Sequence, residues 1–156
     1  MRRFLFLLLL LTILYVSPAV TAATESSGKV LKVLPEFFDQ KGRNAIAPSL
    51  YDRDAFQANL RKKPAQRSTI GFFVNWKVKK VDLSKLKLRV EMRSVFGNVV
   101  KNKTIEENLK KKGWFTTWTT LKVPEEEYKK FGELIAWRVT LWEGDKLLSE
   151  QKSFLW

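Results

Sequence analysis

Alternation of large apolar with polar or small residues, repeated in well-separated stretches, restricts what this chain can become more than any other feature of it. Near the end, Ile135, Trp137, Val139 and Leu141 alternate with Ala136, Arg138 and Thr140. Earlier, Leu86, Leu88, Val90 and Met92 alternate with Lys87, Arg89, Glu91 and Arg93. Successive side chains of a strand point to opposite faces, so a period of two marks strands with one buried side. Glu143-Gly144-Asp145-Lys146 supplies a turn, and the run Leu147 to Trp156 completes a closing β-hairpin. A two-stranded hairpin is marginal alone in water. Its Trp, Phe and Leu residues are therefore expected to pack on other strands, which makes the last residues part of the core.

The same reasoning places further strands. Ile70, Phe72, Val74, Trp76 and Val78 share one face, with Phe73 spoiling an otherwise polar opposite side. Val30 to Leu34 reads as a first strand stopped by Pro35, and Gly113 to Val123, rich in aromatic and β-branched residues, as a later one ending at Pro124. Phe96-Gly97-Asn98 reads as a turn, with a polar stretch up to Lys112 in which a short strand fits near Thr104-Ile105-Glu106. One helix is expected, over residues 49–63. Ser49 and Asp52 have the spacing of a capping box, Arg61, Lys62 and Lys63 suit the negative end of the helix dipole, and Pro64 blocks continuation. This helix is expected to cover an end or edge of a sheet, with salt bridges among Asp39, Arg43, Asp52, Arg53 and Asp54 holding its start.

The front of the chain carries a different signal. Met1-Arg2-Arg3, an apolar run from Phe4 to Val16, and small residues ending in Val20-Thr21-Ala22 are the three parts of a secretory signal peptide. The apolar run is shorter than the roughly 20 residues that span a bilayer, so cleavage after Ala22 is expected and no transmembrane helix in the mature chain. Cleavage removes Arg2 and Arg3 and no acid, taking the formal charge from +13 to +11 (13 − 2). The expected location is periplasmic or extracellular. Residues 23–29 read as a short flexible lead, and residues 30–156 as a single domain, which suits a chain of 156 residues that is 45% hydrophobic.

Seven or so short strands, one helix near the front and no regular βα alternation predict a mainly β fold, an antiparallel two-sheet sandwich. From about Ile70 onward, Tyr128, Gly132 and the hairpin around Glu143-Gly144-Asp145 resemble the late strands of immunoglobulin-like or fibronectin type III domains. The resemblance implies the broad sandwich class and carries no specific motif; the paired cysteines of true immunoglobulin domains are missing.

Chemistry is bounded by omission. With no Cys and no His, the chain has no thiol nucleophile, imidazole base, disulfide or usual zinc ligand. Ser26 with Lys29 and Ser84 with Lys87 mimic the Ser-x-x-Lys spacing of acyl enzymes, but they fall in a polar lead and at a strand start. Glu125-Glu126-Glu127 are neighbours and do not face each other across a cleft, as paired acid and base carboxylates must. No catalytic, cofactor or metal residue is assigned.

The candidate ligand surface is aromatic and cationic. On a strand starting at Gly113, Trp114 and Trp118 fall on one face, Phe115, Leu121 and Val123 on the other. Only one face can be core. Large aromatics are buried more often than not, which favours Trp114 and Trp118 as core. With Leu121 and Val123 inward instead, the two indoles form an exposed platform for stacking on sugars or bases. Lys110, Lys111 and Lys112 immediately precede them and read as a solvated turn, or as the charge an anionic ligand needs. Arg138 and Trp142 lie on the polar side of the closing strand, where a cross-strand ion pair or a cation–π contact is expected. The sequence thus predicts an exported, non-enzymatic β-sandwich that binds an envelope or extracellular partner, protein or glycan. The alternatives are a carbohydrate-binding module on Trp114 and Trp118, or a basic protein with weak, nonspecific affinity for polyanions.

Overall fold

The structure, a computed structural model, describes residues 25–156; the leader expected over residues 1–22 lies outside them. In chain order the elements are β1 (Ser27–Asp39), α1 (Leu50–Lys62), β2 (Arg67–Lys79), β3 (Leu86–Phe96), β4 (Val99–Asn108), β5 (Thr117–Lys122), a single helical turn α2 (Glu125–Tyr128), β6 (Glu133–Glu143) and β7 (Lys146–Lys152). The strands pair antiparallel into a three-stranded sheet, β1-β2-β5, and a four-stranded sheet, β4-β3-β6-β7. The mainly β, two-sheet architecture is therefore as the alternation predicted. No helix among the described residues is long and apolar enough to cross a membrane.

The core lies between the sheets. Ile70, Phe72, Val74 and Trp76 of β2 are buried, and so are Leu86, Leu88, Val90 and Met92 of β3. Register matches the pattern: Leu88 sits opposite Leu141 and Val90 opposite Val139. On β6 the alternation fails at Ile135. The pairing slips between Arg93 and Ser94, so Ile135 becomes the extra residue of a bulge, 40% exposed, while Ala136 is buried. Trp137 is half-buried, its ring edge-on to Phe72 at 6.3 Å between centroids.

Three further expectations are corrected. Pro35 does not stop β1, which runs on to Asp39. β1 is an edge strand, and Phe37, two residues on, turns its N–H outward to the Gln57 side chain, so the donor that Pro35 lacks falls on that same open edge. Ser27 to Lys29 belong to β1 and pair with Lys79, Val78 and Lys77. Gly28 permits this approach: a Cβ there would lie 2.9 Å from Leu141 Cδ2 and 3.1 Å from Leu148. The C-terminal residues are not core. β7 is an edge strand, Phe154 and Leu155 are exposed, and Trp156 lies against the guanidinium groups of Arg93 and Arg138 at 4.2 and 5.0 Å.

Helix α1 closes the open edge of β1, as expected of it. The Gln57 amide accepts from Phe37 N–H at 2.8 Å and donates to Phe37 C=O at 2.9 Å, the two bonds a neighbouring strand would make. At the helix start, Asp52 N–H donates to Ser49 Oγ at 3.4 Å, and among the described residues no bond returns from the Asp52 carboxylate. The ion pairs there are Arg43–Asp39 at 2.7 Å and Arg53 to the buried Glu36 at 3.6 Å, with Asp54 4.0 Å from Arg53.

At the other end of α1, the sequence reading missed the main tie. Arg67 is buried and donates to the carbonyls of Leu60 and Arg61 at 2.6 and 2.5 Å and to Glu133 at 2.6 Å, its guanidinium 4.0 Å from the Phe37 ring centroid. It satisfies the last-turn carbonyls that a helix leaves open. Arg67→Ala strands two of these carbonyls in a buried setting and should lower stability by about 3 kcal/mol in chemical denaturation. A loss below about 1 kcal/mol would mean water replaces the guanidinium there.

A candidate recognition surface at the entry to β5

The stretch leading into β5 divides at Thr116. Residues from Thr117 pair with β2, Thr117 opposite Trp76 and Leu121 opposite Phe72, whereas Lys110 to Thr116 lie outside the ladder. The strand expected from Gly113 therefore begins four residues later. Gly113 is where the chain doubles back: its N–H donates to Thr117 Oγ1 at 2.6 Å, and a Cβ on Gly113 would collide with the Thr116 carbonyl. Trp114 and Phe115 sit at the tip of this turn.

The favoured core reading of Trp114 and Trp118 is overturned. Trp114 is 93% exposed, Phe115 81% and Trp118 52%, while Leu121 and Val123 are buried. The cause is volume. Trp76 from β2 is wholly buried beneath β5, its indole N–H donating to Thr119 Oγ1 at 2.9 Å. Only small side chains, Thr117 and Thr119, fit beside it, so Trp118 turns to the outer face. Phe115 leaves the strand pattern altogether, because it lies on the turn.

The outer face of the three-stranded sheet continues the aromatic character. Phe38 and Phe73 stack at 6.1 Å between centroids with their rings 17° apart, and Lys122 Nζ lies 3.7 Å from the Phe38 centroid. Asn75, paired with Trp118 in the ladder, donates from Nδ2 to Thr116 Oγ1 at 3.3 Å, holding the base of the turn to β2. Trp114 and Phe115 are 6.3 Å apart with their planes tilted by 60°. Lys110, Lys111 and Lys112 are exposed, and none of them forms a salt bridge among the described residues.

Arg138 and Trp142 are not part of this surface. They project from the outer face of the four-stranded sheet, on the opposite side of the sandwich. Arg138 clasps Glu91 through two bonds, 2.8 and 3.0 Å, and lies 3.6 Å from Glu150. The indole that Arg138 meets is Trp156, while Trp142 lies 5.5 Å from the Arg89 guanidinium and donates to Thr140 Oγ1 at 2.8 Å. Arg89 and Lys87 both bond Glu106, at 2.6 and 3.0 Å. The bond from Lys87 first and that from Arg89 second hold the Glu106 carboxyl below its ordinary pKa of 4.5. This face is a self-satisfied charge lattice, in line with the cross-strand pairing expected there.

Tyr128, on α2, is half-buried near Arg67. Burial pushes its phenol above the ordinary value of 10.0, and the Arg67 hydrogen bond and charge offset part of that rise. Compared with known proteins, the chain matches no family model, no curated protein and no solved structure. The signal that could have located the exposed tip is the glycine of Lys112-Gly113-Trp114, which breaks the strand just before the aromatics.

The inward and outward assignments on β5 predict opposite costs. Trp118→Ser, with the indole 52% exposed, should lower stability by about 1 kcal/mol. Leu121→Ala should lower it by about 2 to 5 kcal/mol. The reverse order in urea denaturation would put the indole inside.

Proposed function

We propose that this is an exported, non-enzymatic binding protein with an immunoglobulin-like sandwich, recognising a partner in the envelope or outside the cell through Lys110 to Trp118. The observation that carries it is the near-complete exposure of Trp114 and Phe115 on a turn whose base is bonded to β2. Large aromatics are costly to leave in water, and those held rigidly outward are the usual anchors of interfaces.

Three features support the remaining terms. The leader from Met1 to Ala22 has the layout of an export signal, and a chain with neither Cys nor His has few routes to catalysis. The division into a sheet of the first, second and fifth strands and a sheet of the fourth, third, sixth and seventh supports the immunoglobulin-like term. A carbohydrate platform built from Trp114 and Trp118 draws less support. Stacking on a sugar chain needs ring faces presented together, whereas the ring next to Trp114 is tilted by 60° and Trp118 lies on the strand.

The test is binding of the mature protein to the envelope fraction of its own source, measured by sedimentation. Trp114→Ala combined with Trp118→Ala should weaken it by about tenfold or more with the melting temperature unchanged. Equal binding by parent and variant would sink the reading.

A further inference from the structure

We infer that the partner of this surface is an anionic lipid bilayer, into whose headgroup region the Trp114–Phe115 tip inserts. The inference rests on the recognition reading above and names its ligand. Three observations converge on it. The tip presents two aromatic side chains, 93% and 81% exposed, with planes tilted by 60°. Such a pair cannot lie flat on one sugar or base, but insertion asks only that both rings project, and indole and phenyl rings settle at the boundary between headgroups and acyl chains.

Charge supplies the second observation. Lys110, Lys111 and Lys112 enter the tip, and Lys77, Lys79 and Lys80 leave β2 at the same end of the sandwich, where Trp76 pairs with Thr117. All six are exposed, and none forms a salt bridge among the described residues. On the four-stranded face, by contrast, Lys87, Arg89 and Arg138 are paired with carboxylates, and Arg93 lies against the Trp156 ring. Free lysines next to projecting aromatics are complementary to a surface of lipid phosphates, and their long stems let the ammonium groups stay at headgroup level while the rings go deeper.

The attachment of the turn to β2 is the third. The tip hangs from Gly113 N–H on Thr117 Oγ1, Asn75 on Thr116 Oγ1 and the Trp76 indole on Thr119 Oγ1, so the turn is tied to the core through β2. A base bonded to β2 keeps the two rings directed away from the sheet. One inserted tip gives reversible attachment, the weak regime of a single short anchor strengthened by a basic patch.

The experiment uses the mature protein with vesicles of phosphatidylcholine containing about one-third phosphatidylglycerol, and with pure phosphatidylcholine. The inference predicts at least about tenfold stronger co-sedimentation with the anionic vesicles, weakened by salt, and a blue shift of tryptophan emission. Bromine-labelled acyl chains should quench that emission in the parent. Trp114→Phe should keep binding while losing most of the quenching, and Trp114→Ser with Phe115→Ser should lose about tenfold in affinity with an unchanged melting temperature. No association with anionic vesicles, or association that the double serine variant retains in full, overturns the lipid assignment. If vesicles fail while the envelope fraction still binds through Trp114, the partner is a macromolecule and the recognition surface stands. If both fail, the surface itself is misassigned.

Discussion

On β5 only one alternating set of side chains can reach the core, and the bulk of Trp76 decides which. Its indole lies buried beneath the edge of the three-stranded sheet and bonds Thr119, and the inward positions of β5 are held by Thr117, Thr119 and Leu121, with Val123 buried just past its end. Trp118 therefore faces outward, and the chain before it leaves the ladder at the Gly113–Thr117 turn. The exposed aromatic turn is thus a by-product of how the core is filled.

The remaining edges are managed by different means. Gln57 and Arg67 bind α1 along β1, so that edge offers little to a foreign strand. β7 leans on β1, with Val30 N–H donating to Ser149 Oγ at 3.0 Å. The four-stranded face pairs Arg89 and Arg138 with Glu106, Glu91 and Glu150, and lays Arg93 against the Trp156 ring. At the end of the sandwich where the lysines of the β5 entry and of the β2 exit lie near Trp114 and Phe115, exposed aromatic area coincides with lysines that form no salt bridge among the described residues.

The inward face of β3 could be read from the sequence because burial on one side of a strand writes a period of two, and the period survives wherever no bulge intervenes. It fails at Ile135, where a bulge that depends on a partner strand shifts the phase. The helix over residues 50–62 was legible from Ser49 and Pro64, but not its tie to Arg67, because a guanidinium six residues past Arg61 has no local signature. For the candidate site, the residues were legible and their orientation was not. Both faces of Thr116 to Val123 carry apolar residues, and the deciding volume belongs to Trp76, 41 residues earlier than Thr117 in the chain and opposite it in the ladder. Arg138 and Trp142 were grouped with that site by chemistry alone; strand order sends them to the other side.

The account's central claim is that Trp114 stands outside a core built on Trp76. Oxidation of the native protein with N-bromosuccinimide, followed by mass-spectrometric mapping of each indole, tests it most directly. The account predicts that Trp114 reacts first, that Trp118 follows, and that Trp76 resists until the protein unfolds. Early oxidation of Trp76, or protection of Trp114 in the free monomer, would contradict it.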